Sequence, residues 1–235
     1  MNLKEQLELD VIRQASQNSI AWDKVRIGRF TGSGLGKLFT EPRSKADKDA
    51  GKMSQTALTY IEEKATEIVT GEAVGEFSSK ATDWGNEWEE HAIRELAKSL
   101  GVSDENLVLK PHFVVYGDYS GASPDCYMNI SFMKIGGEVK CPFNSSVHTY
   151  RLRHVRNAQE LKDEEPDIYW QIQSNMFFNK IPLWYFASYD PRFPEHRRLH
   201  KFAVEANVED QKLMLDKMEN ALILRDEIVE YILSK

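Results

Sequence analysis

The order in which apolar residues change their spacing constrains this chain more than any other feature: helical periodicity brackets a central block of strand-like segments. Residues 3–17 have amphipathic spacing, so an N-terminal helix is expected within residues 1–20. Segment 21–39 runs through a glycine-punctuated turn into a short helix, with Thr31 or Ser33 suited to its N-cap. Ala57, Leu58, Ile61, Ala65, Ile68 and Val69 predict a helix over 54–70, closed by Gly71. Another helix is expected from about Asp83 to Leu100. Strands then follow at 107–116, in a short run around SPDCYM, and at 136–142. Helical spacing returns at 166–178, where Pro166 suits the first turn. Apolar runs at 183–189 and 199–206 read as strands, and 208–233 reads as a long helix with Met214, Met218, Leu222, Ile228 and Ile232 on one side. Helices around a central mixed sheet predict a three-layer α/β (α+β) fold, with residues 1–235 forming a single domain.

Composition narrows the function classes. No apolar run approaches the roughly 18–20 residues that span a bilayer, and the charged N-terminus is no secretory signal. Two cysteines, Cys126 and Cys141, are too few for a disulfide framework or a four-cysteine cluster, and a reducing, cytoplasmic setting is expected. The formal net charge of −7 argues against a protein that coats DNA by bulk positive charge. It leaves room for an enzyme that grips a few phosphates locally. Residues 41–53 carry Arg43, Lys45, Lys48 and Lys52, and they read either as a solvated loop or as a DNA contact.

The stretch SPDCYMNISFMKIGGEVKCP (123–142) holds the most chemistry. In a strand, Glu138 and Lys140 project to one side and Val139 to the other. Asp125 precedes Glu138 by a distance that suits a hairpin bringing the two carboxylates together. Converging carboxylates repel, and a hard divalent cation such as magnesium resolves the conflict. A lysine on the same face can orient or deprotonate a water, or neutralise phosphate charge. The plainer reading is a solvated Glu138–Lys140 ion pair.

Two helices bear on the choice. Around 83–100, Gly85, Trp88, Ala92, Ile93, Leu96 and Leu100 form the inward stripe, while Glu87, Glu90, Arg94 and Lys98 face out. Glu89 falls on the inward side and needs a partner: a buried arginine, a helix N-terminus, or the same metal. In YWQIQSNMFF, Gln171 and Gln173 sit among bulky apolar groups, either as satisfied core amides or as site residues.

The blocks RIGRFTGS, WGNEWEEHA, SPD, EVKCPF, YWQIQ and WYFASYDPR, in this order from about Trp22 to Glu219, resemble the phage lambda exonuclease/YqaJ-type viral recombinase nucleases of the PD-(D/E)xK superfamily. That resemblance implies a restriction-endonuclease-like sheet and a metal-dependent deoxyribonuclease. It implies metal binding by Asp125, Glu138, the Val139 carbonyl and Glu89, with Lys140 catalytic and Gln171 the motif glutamine. Arg26, Ser33 and Ser123 are implied to hold a terminal 5′-phosphate. The cofactor implied is Mg2+, two ions per site, with Mn2+ able to substitute. The implied reaction is 5′→3′ digestion of double-stranded DNA ends, releasing 5′-mononucleotides and leaving a 3′ single strand for a phage single-strand-annealing protein. A homotrimeric ring in a bacterial host cytoplasm is also implied. Two departures stand out. NSSVHTYR follows EVKCPF, so Ser145 and Ser146 stand where a phosphate-binding arginine is expected, and Arg151 or Arg153 is the substitute. Lys80 and Thr82 stand where an apolar strand-separating wedge is expected. The rival readings are a site- or structure-specific endonuclease and a non-catalytic DNA-end-binding or annealing module.

Overall fold

The computed structural model describes residues 20–75 and 79–234, so the helix expected over 3–17 lies outside them. Helix α1 (Ile20–Arg26) leads through Gly28 into strand β1 (Phe30–Thr31) and a 3-10 helix (Gly32–Phe39). Thr31 takes the N-cap position, though its side chain makes no cap hydrogen bond. Segment 41–53 is more ordered than a loop: Ser44 Oγ accepts the Asp47 N–H and starts the short helix α2 (Lys45–Asp49). Lys48 and Lys52 there are paired with Glu41 and Asp47.

Helix α3 (Gln55–Thr70) begins at the Ser54 cap and ends at Gly71, whose φ of 72° suits glycine. Helix α4 (Lys80–Ser99) starts a little before its expected position because Ser79 caps it through the Thr82 N–H. The strand expected over 107–116 is two strands, β2 (Leu107–Leu109) and β3 (Val114–Tyr116). Lys110 at φ 43°, followed by Pro111, breaks the run and sends its halves to different sheets. Next come β4 (Ser120–Ala122), β5 (Cys126–Ile130) and β6 (Met133–Lys140). Helices α5 (Ser145–His154) and α6 (Ala158–Glu164) are additions to the expected pattern, capped by Asn144 and Asn157. The chain closes with α7 (Pro166–Asn179), β7 (Leu183–Tyr189), β8 (Leu199–Glu205) and α8 (Val208–Leu233).

The larger sheet has the order β2-β5-β6-β7-β8, parallel only between β6 and β7. A smaller sheet has the order β1-β4-β3. Alternation along β7 sends Trp184 and Phe186 into a core with Trp170, Ile172, Met176 and Met214, and sends Ala187 and Tyr189 into a second core with Ala92, Ile93, Leu96 and Val139. The larger sheet is therefore covered on both faces, as the expected mixed α/β architecture requires. A Cβ on Gly136 would lie 2.2 Å from the Trp184 ring, so only glycine fits beneath the indole. That contact sets the parallel register Gly136↔Trp184, Glu138↔Phe186 and Lys140↔Ser188. A one-residue slip would turn Glu138 and Lys140 to the wrong face. No helix among the described residues is long and apolar enough to cross a membrane.

Candidate active site

Strands β5 and β6 form a hairpin with Cys126 opposite Gly137, so Asp125 lies one step further, across from Glu138. The two-residue loop is Ser131–Phe132, both at positive φ, which is why thirteen positions separate the two acids. Asp125 Oδ2 accepts the Val139 N–H at 2.7 Å. Both acids are buried. Burial, then the charge of Glu138, pushes the Asp125 carboxyl well above its ordinary range. Burial also raises Glu138, against the pull of Lys140.

Lys140 Nζ donates to Glu138 Oε1 at 2.6 Å and to Gln171 Oε1 at 3.1 Å. Burial works against its ammonium, but Glu138 and Asp125 outweigh that and raise its pKa above the ordinary lysine value. Gln173, by contrast, is a core amide: it donates to the Glu205 carbonyl and accepts from the Asn207 N–H.

Glu89 reaches the same end of the sheet from α4, and its charge raises both Asp125 and Glu138. Its direct partner is Lys110, at 2.5 Å, whose backbone N–H also donates to the Asp125 carbonyl. Among the described residues, no three His, Cys, Asp or Glu side chains stand close enough to form a ready-made metal cluster. Two mutually repelling carboxylates do converge, with lysine ammoniums balancing them, and the groups that meet there offer oxygen donors. That donor chemistry fits a hard divalent cation. The Val139 carbonyl adds to it, because a strand residue's N–H and C=O leave on the same edge and the Val139 N–H faces Asp125.

Beside the acids is a cleft of about 160 Å3 lined by Arg26, Ser33, Ser123, Asp125, Gln171 and Asn175. Trp22 ties its wall together: its indole N–H donates to Ser123 Oγ at 2.9 Å, and the Arg26 guanidinium lies 3.9 Å above its ring. Arg151 lies outside this cleft, on the β7 side of Lys140, where its guanidinium donates to Ser188 Oγ at 3.3 Å. It is buried in an ion pair with Glu165 at 3.0 Å and is absent from the cleft lining, so the expected substitution of Arg151 for the missing phosphate ligand finds no geometric support. Arg153 is exposed at the end of α5. Ser145 and Ser146 form the first turn of α5, and Lys80 and Thr82 are exposed in the first turn of α4.

Three residues went unread in the sequence. Asn175, one turn after Gln171 on α7, donates to Glu138 Oε2 at 3.4 Å, while its buried Oδ1 has no hydrogen-bond partner among the described residues. Its spacing from Gln171 was the available signal. Lys110 and Trp22 offered none, because their partners are distant in sequence. Both cysteines are free, and burial drives the Cys141 thiol up to about 12, which disfavours its thiolate.

A family model described as the YqaJ-like viral recombinase domain matches residues 21–180. Among solved structures, the alkaline exonuclease LHK-Exo from Laribacter hongkongensis superposes with a TM-score of 0.74 at 19% identity, over 91% of this chain and 96% of that one. LHK-Exo in complex with dAMP gives the same TM-score at 21% identity and the same coverage. A phage related exonuclease from Haemophilus somnus 129PT gives 0.65 at 20% identity, over 88% of this chain and 95% of that one. At these identities the likeness is one of fold. No curated protein matches.

Proposed function

Because the chain belongs to the YqaJ-like viral recombinase domain family, we propose that it is a magnesium-dependent exonuclease that digests one strand of linear duplex DNA from its 5′ ends. The observation that carries this reading is the meeting of Asp125, Glu138, Lys140 and Gln171 beside a cleft that holds Arg26, Ser33 and Ser123. A domain that only bound DNA would gain nothing from buried carboxylates set against phosphates.

Asp125, Glu138 and the Val139 carbonyl would hold the metal, with Glu89 joining them on leaving Lys110; a bound Mg2+ or Mn2+ supplies Lewis-acid charge and lowers the pKa of water. The cleft grips a terminal 5′-phosphate through Arg26, Ser33 and Ser123. Lys140, kept cationic and aimed by Gln171, neutralises charge that builds on the phosphoryl oxygens in the transition state. Water adds to phosphorus at the first internucleotide linkage, the P–O3′ bond breaks, and the 3′ oxygen takes a proton. A 5′-mononucleotide leaves, and the next nucleotide presents a new 5′-phosphate to the same cleft. The solved neighbour LHK-Exo, an alkaline exonuclease also solved in complex with dAMP, supports this reading. The family resemblance extends the proposal to a homotrimeric ring that supplies 3′ single strands to an annealing protein in phage-type recombination.

Incubating end-labelled linear duplex and a covalently closed circle, with and without Mg2+, tests the core claim. Metal-dependent release of 5′-mononucleotides from the linear substrate alone is expected. Cutting of the circle would make the protein an endonuclease, and inertness toward both would make it a binding module. Faster digestion of 5′-phosphorylated than 5′-hydroxyl ends, lost in Arg26→Ala, is expected for the cleft assignment.

A further inference from the structure

Three residues beyond Lys140, Phe143 holds its ring about half exposed, 49% by relative area. Exposure of one aromatic means little by itself. The machinery behind it says more. Arg192 Nη1 donates to the Phe143 carbonyl and Nη2 to the Pro142 carbonyl, both at 3.0 Å. Asp190, fully buried, fixes that guanidinium with two side-chain hydrogen bonds of 2.7 Å. The guanidinium also lies 4.4 Å from the Trp84 ring, and Trp84 meets Phe143 edge-to-face at 6.2 Å. Trp84 stands on α4, the helix that carries Glu89. The DPR segment thus ties the backbone at the exit of β6 to α4 and leaves the Phe143 ring half exposed against Trp84, three residues after Lys140.

We propose that Phe143, held against Trp84 by the Asp190–Arg192 pair, is a stacking platform for an unpaired nucleobase of the DNA strand at the active site. It rests on the nuclease reading above and adds a base contact to phosphate contacts. Every base has a π-face, so such a platform is tolerant of sequence, as digestion of arbitrary DNA requires. Because Phe143 follows Glu138 and Lys140 of β6 within five residues, a DNA strand drawn to those groups on the nuclease reading is the occupant that the ring would meet. Fixing the ring in advance removes an ordering cost from binding.

The test is a thermodynamic cycle on the full-length protein in EDTA, so that nothing is cut. Affinity for a short single-stranded oligonucleotide is compared with that for versions carrying one abasic residue, position by position, in wild type and Phe143→Ala. In wild type, one abasic position near the bound end is expected to weaken binding roughly tenfold, within the range of base–aromatic stacking. Phe143→Ala should weaken intact DNA similarly and make that abasic position neutral, the non-additivity of two groups in contact. Phe143→Trp should restore the wild-type pattern, and Arg192→Ala should fall between. Additive losses, or none, would overturn the platform. A Phe143→Ala protein whose oligomeric state shifts in light scattering would overturn it too, making the ring a subunit contact. Because the cycle needs neither metal nor cleavage, it can hold where the nuclease reading fails, and fail where that reading holds.

Discussion

Glu138 is gripped at both oxygens, by Lys140 on one and Asn175 on the other, and the two donors come from different elements. An amide placed 3.4 Å from a buried carboxylate must turn its nitrogen toward it, which leaves Oδ1 facing away. Replacing Asn175 by Ala therefore removes one donor to the acid while leaving Arg26, Ser33 and Ser123 in place. Cleavage should fall about tenfold or more, the worth of a hydrogen bond to a charged group, with DNA affinity in EDTA little changed. Lys140→Ala, Asp125→Ala and Glu138→Ala should each abolish cleavage, with DNA binding retained in the lysine variant. Full activity in purified Lys140→Ala would remove it from the mechanism. His148 gives a pH prediction. It is buried between Ser188 Oγ at 2.8 Å and the Arg197 carbonyl at 2.9 Å. Burial, helped by Arg151 and His200, holds its pKa below the usual 6.5 despite the Arg197 carbonyl and Asp190. Below pH 6.5 the unfolded chain binds this proton and the folded one does not, so stability is present above 6.5 and is lost as pH falls toward the depressed native value. Thermal midpoints between pH 7.5 and 5.5 should show this loss. His148→Gln should start lower and flatten the dependence.

Elements hold the site through a few long-range grips, and the clearest is on the Gly28 peptide. Buried Glu67 of α3 accepts its N–H at 2.8 Å, and Arg225 of α8 donates to its carbonyl at 2.7 Å. Gly28 sits at φ 70°, where L residues are strained, and it follows Arg26 by two positions. Glu67→Ala should cost about 2–3 kcal/mol by urea unfolding, the penalty of orphaning a buried N–H and Lys64. It should also blunt the preference for 5′-phosphorylated ends, because the loop carrying Arg26 loses its anchor. Elements with strong periodicity were legible in the sequence: β7 and α8 have the bounds the spacing predicted, and Glu138 and Lys140 share a face as alternation required. What escaped lacked a local signal. Helices α5 and α6 carry few apolar residues and are specified by Asn144 and Asn157 caps. The split of 107–116 turned on one backbone angle at Lys110. Arg151 was read as free to meet phosphate because its partner, Glu165, lies outside any helical or strand spacing from it.

Across the whole molecule, a net charge of −7 means that, on the nuclease reading, DNA is met by single basic residues such as Arg26 on an acidic body. Binding through so few cations should depend weakly on salt. Each phosphate neutralised contributes a slope of about −0.9 in log K against log salt, and a total of roughly −1 to −3 is expected from anisotropy titrations in KCl. A slope near that of a DNA-coating protein would mean that other surfaces engage. Repeated digestion by a weak binder would then depend on enclosure, and light scattering should find a trimer; a monomer at working concentration would refute the ring. The sheet order has one more consequence, which belongs to time. Asp125 meets Glu138 through a local hairpin, but Gln171 and Asn175 lie on the long crossover that joins the parallel strands β6 and β7. Hairpins close in microseconds, and pairings distant in sequence close later. A refolding chain therefore assembles its acids first and the amides that steady them last. Until the crossover shuts, it holds the charges of a nuclease with nothing to aim them.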